Sequence, residues 1–464
     1  MAKQRRRGTM KKMKTITIKR PRIVKVSDHK TRLVTEIDSA GNWDVSDLWI
    51  EVDSSYTKYM VTENCDGPLC FAFVKAMRQG YNIVCEAPVS ENLLFNLNEF
   101  AQIAYKNNKS NKKLFLPKIT ADICENLPSK GAVVAPASFG ADSFYAINKF
   151  LDSPYPNYKL THLMHNDVLE FRDFRSRFVR ANNKTMEEAE EIANKLKSVA
   201  RNNVIEVSKE LGLECLFFDT NAADFKIPSN QYYVFINYGY IGHSFSKLFG
   251  TIIQAGSYDI SYFDITDVFN GDNNFHELLN IHTFTTIDSN GGIRFVADTF
   301  HADRIEKLEE LALNPLVHKY LSVCWFTQDG KNCNVCDKCK RTMIMLDYLG
   351  VLDKFSNSFD VDYYYKNFND EYKEYLLTST TFEKNLRIDK ARYIRIRDAV
   401  INKHKKISKP KTSKAKALKL ELQKLQGENK KLQKRIRIMQ NSTSWRLTKP
   451  IRKVAKAFKR DQKK

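Results

Sequence analysis

The chain has 464 residues, a formal net charge of +21 and a hydrophobic content of 42%. That is enough for a packed core, suggests two or three structural units, and excludes a wholly disordered protein. No apolar run is long enough to span a bilayer, and residues 1–30 lack the apolar stretch of a secretory signal, so the expectation is a cytoplasmic protein.

Residues 1–35 carry 13 Lys and Arg against 1 acid and read as a basic, flexible N-terminal segment. Residues 36–128 follow as a small N-terminal α+β unit. Leu48–Val52 and Tyr81–Cys85 have strand character. Leu69–Met77 reads as a helix closed by Gly80, and Glu91–Tyr105 as a second, amphipathic helix. The unit does not begin with a cysteine nucleophile, so ammonia, if used, would come from outside the chain.

Residues 129–350 alternate short apolar runs with helical patterns, which predicts an α/β domain with a doubly wound, mainly parallel sheet. Candidate strands are Ala132–Ala135, Lys159–Met164 and Tyr232–Tyr238; Thr185–Leu211 reads as a long helix with acids at its start. After the first strand comes Pro136-Ala-Ser138-Phe-Gly140-Ala141-Asp142-Ser143, leading into a helix. A small-residue loop between a buried strand and a helix N-terminus suits phosphate. Ser138 and Ser143 offer hydroxyls, Gly140 and Ala141 a close backbone approach, and Asp142 a helix cap or a ligand for Mg2+. A plain strand–turn–helix with a capping Asp fits the same letters. His162, His165 and Asn166 are read at the end of the second strand as pocket or loop residues, and Gly239–Ser244 as another ligand loop. Arg304 and Lys307 are candidate phosphate contacts or helix-surface charges.

Cys324, Cys333, Cys336 and Cys339 follow in C-x8-C-x2-C-x2-C spacing. Four thiolates close a tetrahedral site for structural Zn2+, with backbone N–H groups donating to sulfur and Lys331, Lys338 and Lys340 offsetting its negative charge. An iron–sulfur cluster or redox cysteines are the alternatives. The other five cysteines read as core residues.

The Ser138–Ser143 loop resembles the Ser-Gly-Gly-x-Asp-Ser loop of PP-loop ATP pyrophosphatases, the adenine nucleotide alpha hydrolase superfamily. The cysteine spacing, with Asp303-Arg304-Ile-Glu306-Lys307 before it, is similar to the zinc-containing branch of 7-cyano-7-deazaguanine synthases. The resemblance covers roughly 130–345. It implies ATP as cofactor, with Ser138, Gly140, Ala141, Asp142, Ser143, Arg304 and Lys307 around it and Asp142 and Ser143 nearest the chemistry. The reaction implied is adenylation of a carboxyl or carbonyl substrate with release of pyrophosphate. Phe139 stands where the family has its first glycine, which puts the phosphate site in question.

Residues 351–403 read as a helical, aromatic-rich extension with Tyr363, Tyr364, Tyr365 and Phe368 in packing positions, and 404–416 as a linker. In 417–440, Leu418, Leu422, Leu425, Asn429, Leu432, Ile436 and Met439 form a short heptad pattern, read as a parallel homodimeric coiled coil or a lone amphipathic helix. The tail 441–464 resembles the Ser-x-Ser-Trp-Arg tail of bacterial glycosyltransferases from surface-polysaccharide loci. As a basic amphipathic helix it suits an anionic membrane surface, nucleic acid being the weaker rival. Residues 405–464 hold 22 Lys and Arg against 3 acids, leaving the body, 36–404, acidic at −10.

Three functions remain open from sequence. One is a PP-loop ligase or amidotransferase-like enzyme acting on a small or sugar-linked precursor. The second is a degenerate nucleotide-binding scaffold beside glycosyltransferases at the membrane. The third is an RNA-modifying enzyme gripping phosphate with its basic ends.

Overall fold

A computed structural model describes residues 13–43, 45–106, 114–167, 185–225, 235–256, 292–298, 301–324, 330–378 and 390–407. The chain divides into two units, Met1–Arg397 and Asp398–Lys464. The second is described only through residue 407, at the end of its first helix. Residues 1–12, the coiled-coil segment 417–440 and the tail 441–464 lie outside the described residues. Among the described residues no helix is long and apolar enough to cross a membrane.

The first unit is built on one eleven-stranded sheet. Its N-terminal half comprises β1 (Lys14–Ile18), β2 (Arg22–Lys25), β3 (Lys30–Asp38), β4 (Asp47–Asp53), β5 (Tyr81–Cys85) and β7 (Ile119–Thr120), with β6 (Val89–Ser90) and β8 (Ile123–Cys124) paired separately. Helices α1 (Asp66–Gln79) and α2 (Glu91–Lys106) belong to this half. Gly80 ends α1 at φ +80°, its N–H donating to the Ala76 carbonyl, as the glycine signal predicts. The basic N-terminal segment is not an appendage from residue 14 onward. Lys14–Ile18 alternates outward polar with inward Ile16 and Ile18, both fully buried, and pairs in parallel with β5 and antiparallel with β3. Alternation at period two outweighs the local charge because the cations point to solvent.

The C-terminal half holds β9 (Ala132–Pro136), α3 (Ala141–Leu151), β10 (His162–Asn166), α4 (Met186–Leu211), β11 (Glu214–Thr220), α5 (Ile241–Ser244), β12 (Phe249–Ala255) and β13 (Arg294–Asp298). Its five strands are all parallel and lie in the order β11-β10-β9-β12-β13. In chain order that is 3-2-1-4-5, the doubly wound arrangement, whose switch point lies between β9 and β12. β9 and β10 are each buried at four consecutive positions, the mark of strands covered on both faces. β4 instead alternates buried and open. The halves join where β11 meets β4 antiparallel, so 36–128 and 129–350 share one sheet. The sheet is mixed, with a parallel half carrying the loop.

The long helix α4 starts with a reciprocal cap: the Glu188 N–H donates to Thr185 Oγ1 at 3.2 Å and the Thr185 N–H to Glu188 Oε2 at 2.9 Å. Of the strand expected over Tyr232–Tyr238, residues 232–234 lie outside the described residues, and the rest is helical: Phe235–Tyr240 is a wide helical turn leading into α5. Gly239–Ser244 is no ligand loop either, since Tyr240, Ile241, His243 and Ser244 are buried. Tyr238, Tyr240 and Ile241 do bury, but in a helical layer against α1.

Helices α6 (Arg304–Leu311), α7 (Pro315–Tyr320), α8 (Asp337–Tyr348), α9 (Val361–Asn367), α10 (Lys373–Thr378) and α11 (Lys390–Ile407) complete the described chain. In the extension Tyr364 is fully buried, donates to Asp347 at 2.8 Å and meets the Tyr372 ring edge-on at 4.5 Å. The Tyr372 hydroxyl donates at 2.8 Å to the carbonyl of Asn334, inside the cysteine cluster.

Candidate functional site

The loop between β9 and α3 sits at the carboxyl ends of the parallel strands, beside the switch point. Helix α3 begins at Gly140 with no side-chain cap, so its first-turn N–H groups are open to an acceptor. Asp142 therefore does not cap the helix. Its Oδ2 takes a bond from Arg304 at 2.9 Å and its Oδ1 one from Lys307 at 3.1 Å. Burial pushes its carboxyl up, but Arg304 and Lys307 outweigh that and hold it below the usual carboxylate range. With a cation on each oxygen, Asp142 is poorly placed to hold Mg2+; it anchors the two cations instead.

Lys307 is fully buried, and its ammonium also donates to the Gly256 carbonyl at 2.7 Å. Gly256 directly follows β12, so Lys307 bridges the ends of both switch-point strands. Asp303 presents α6 correctly by accepting the N–H groups of Ile305 and Glu306, while Glu306 bonds back to the Asp303 N–H.

The remaining loop residues divide. Ser138 is exposed. Ser143 is buried and donates to the Pro136 carbonyl at 2.9 Å, so its hydroxyl tightens the strand–helix turn rather than facing a ligand. Ala141 is buried in the first turn of α3. Gly140 has φ −71° and ψ 168°, which any residue adopts, and a Cβ there would lie 3.7 Å from its nearest neighbour. Neither fold nor packing demands that glycine.

Phe139 does take the left-handed backbone that a glycine favours, at φ +55°, which costs about 1–2 kcal/mol for a residue with a side chain. Its ring is buried and stacked on Phe144 at 5.1 Å, and its carbonyl accepts the Ser322 N–H at 2.9 Å. Packing thus holds the glycine-like loop shape, with the ring turned away from solvent.

The four cysteine sulfurs converge to within 4.8 Å of one another. Cys324–Cys336, Cys333–Cys339 and Cys336–Cys339 stand at 3.9, 3.8 and 3.4 Å. A tetrahedral site with metal–sulfur bonds of about 2.3 Å requires sulfurs ~3.8 Å apart. The Cys336 N–H points at Cys333 Sγ at 3.4 Å, the knuckle contact expected from the spacing. Hydrogen bonding among the four sulfurs pulls the Cys333 thiol well below its ordinary value and Cys336 down to about 7, and pushes Cys324 and Cys339 up. The cluster could hold a zinc ion.

Two side chains at the site, Asn332 and Arg341, escape sequence reasoning, and a third, Lys338, is legible from sequence only as a charge that offsets the thiolates. Asn332, buried, accepts from Val323 and Cys324 N–H at 2.9 and 3.1 Å and donates to Leu321 and Ser358 carbonyls, both at 2.8 Å. It fixes the segment bearing Cys324; its only signal was adjacency to Cys333. Lys338 and Arg341 belong to α8, and Arg341 is buried. Burial, aided by Arg304 and Arg341, pushes the Lys338 ammonium down to about 8. No local pattern places either cation beside Asp142.

The histidines separate. His165 and Asn166 lie toward the carboxyl end of β10, His165 being 3.7 Å from buried Asp167. His162 opens the strand at the opposite end, against Thr161 Oγ1 at 2.7 Å, and cannot line a pocket at the loop. A five-residue strand places the two ends about 13 Å apart.

No protein-family model matches the chain, and neither a curated protein nor a solved structure does.

Proposed function

We propose that the chain is a PP-loop ATP pyrophosphatase-type ligase of the adenine nucleotide alpha hydrolase fold, with a structural zinc. It would activate a carboxyl or carbonyl substrate by adenylation. The observation that carries this reading is Asp142, in the first turn of an uncapped helix at a switch point, holding Arg304 and Lys307. The open N–H groups of the first turn of α3 would receive phosphate oxygens, with Ser138 at the loop surface. Arg304 and Lys307 are pre-placed to offset the charge that grows on departing pyrophosphate, without reorganising at the moment of reaction. Positioning and electrostatics would then do most of the work.

A second reading, a nucleotide-binding scaffold without turnover, draws on Phe139 and its left-handed backbone. In either case the heptads of 417–440 would give a homodimer, and the basic tail would lie on an anionic membrane surface beside glycan-building enzymes.

An assay that separates AMP plus pyrophosphate from ADP plus phosphate, run with candidate carboxylate acceptors, tests the enzyme. Acceptor-dependent AMP release, reduced about 100-fold in Arg304→Ala, is the expected result. ATP binding without release in wild type and in Phe139→Gly would favour the scaffold. No ATP binding in either would sink both.

A further inference from the structure

Lys338 stands in the first turn of α8, between Cys336, which caps that helix, and Cys339. Arg341 follows at i+3, on the same helix face. Lys338 is within electrostatic reach of Asp142, Arg304, Arg341 and Cys336. A side chain of the cysteine-bearing helix thus stands among the charges of the phosphate loop. Main chain makes a second tie. Ser322, two residues before Cys324, donates its N–H to the Phe139 carbonyl at 2.9 Å, and its own carbonyl lies 3.7 Å from where a Gly140 Cβ would stand.

The charge count is lopsided. Arg304, Lys307 and Lys338 gather around one carboxylate, Asp142, and Lys338 also faces Arg341 and Cys336. Arg304 Nε is buried with no hydrogen-bond partner, so this guanidinium has a donor left over. Partly desolvated cations in such excess are best offset by a multiply charged oxyanion.

We infer that the tetrathiolate centre is a positioning device for the anion site: by pinning the first turn of α8 and the Leu321–Cys324 segment, it holds Lys338 against the loop and selects a polyphosphate over a single phosphate. The inference rests on reading Ser138–Ser143 as a phosphate loop. Asn332 already ties the Leu321–Cys324 segment to the chain before Cys333, and metal on all four sulfurs would fix that segment to the first turn of α8 as well. The β9–α3 turn has its own fastenings, the Ser143–Pro136 bond and the Phe139–Phe144 stack, and needs no metal to keep its shape. Lys338 is therefore a positioning and binding residue whose placement depends on the centre.

Calorimetric titration of the full chain with inorganic pyrophosphate, and separately with orthophosphate, tests this. Zinc content and melting temperature are measured on the same samples. The samples are zinc-loaded wild type, chelator-stripped wild type, Lys338→Ala, Lys338→Arg, Arg304→Ala and the surface control Lys354→Ala. Stripping and Lys338→Ala should each weaken pyrophosphate about tenfold or more, with little change for orthophosphate. Lys338→Ala should keep its zinc and melting temperature, and Lys338→Arg should recover most of the affinity. If wild type binds pyrophosphate, Arg304→Ala weakens it and Lys338→Ala does not, the coupling is overturned while the phosphate-loop reading survives. The coupling stays overturned even if the stripped protein loses binding, since the loss is then unfolding. If zinc-loaded wild type does not bind pyrophosphate, both readings fall.

Discussion

The cysteine centre and the Ser138–Ser143 loop lie side by side but are held on opposite principles. The centre gathers four identical ligands from 16 consecutive positions, 324–339, and their spacing alone specifies the geometry. The loop gathers unlike groups from three helices: Asp142 from α3, Arg304 and Lys307 from α6, Lys338 from α8. A site encoded by spacing is all or nothing, because each missing ligand opens the coordination shell. A site assembled by tertiary placement degrades by degrees. The difference can be broken open by substitution.

The largest effect belongs to the centre. Cys333→Ser, or chelation of wild type, should release the metal and lower the melting temperature by about 10 °C, as several kcal/mol of metal-linked stability is lost. Metal analysis with scanning calorimetry checks it. Metal-free wild type of unchanged melting temperature would remove the structural role. Next comes Asp142→Asn, which leaves the fully buried Lys307 without its counter-charge. The expected cost is about 3–5 kcal/mol in urea unfolding at neutral pH. The sign of its pH dependence follows from the lowered carboxyl. The contribution of Asp142 is complete above the ordinary value of about 3.9 and is lost as pH falls through the lowered one. The variant should therefore show a flatter acid limb than wild type, and parallel limbs would contradict the pairing.

Asn332→Ala is expected to cost about 3 kcal/mol, since four backbone groups lose partners at once. Zinc affinity should drop 10- to 100-fold, roughly the range for losing a group that orients a ligand, and competition with a chromogenic chelator reads it. The smallest effect on stability should come from Gly140→Ala, within about 0.5 kcal/mol, because backbone and space both admit a methyl group. Yet pyrophosphate affinity should fall about tenfold if phosphate approaches that backbone. Unchanged affinity would move the anion away from the loop.

What could be read from sequence tracks the same division. The cysteine centre, the Thr185 cap and length of α4, Gly80 closing α1 and the β9–loop–α3 passage all rest on neighbours within a few turns of chain. The failures share a physical cause. Lys14–Ile18 was hidden by the cations around it, although its alternation fits a strand once β5 and β3 flank it. Phe235–Tyr240 has strand-like composition but is helical, packing against α1. Ser143 has the family's residue and spends its hydroxyl on Pro136. Asn332, Lys338 and Arg341 matter through elements that only the folded chain brings near.

The seam between β4 and β11 bears on how the chain is made. β4 ends at Asp53, while its partner β11 spans Glu214–Thr220. The next residue, Asn221, accepts the Trp49 N–H at 2.9 Å and donates to the Asp47 carbonyl at 2.6 Å. During synthesis β4 is a bare edge until residue 221 has left the ribosome, a wait of roughly ten to thirty seconds at usual elongation rates. For that interval the nascent first half displays an open ladder that any neighbouring strand can extend. A fragment stopped near residue 128 keeps that edge for good, so it should accumulate as aggregate, while the chain carried past 221 closes over it and stays dispersed.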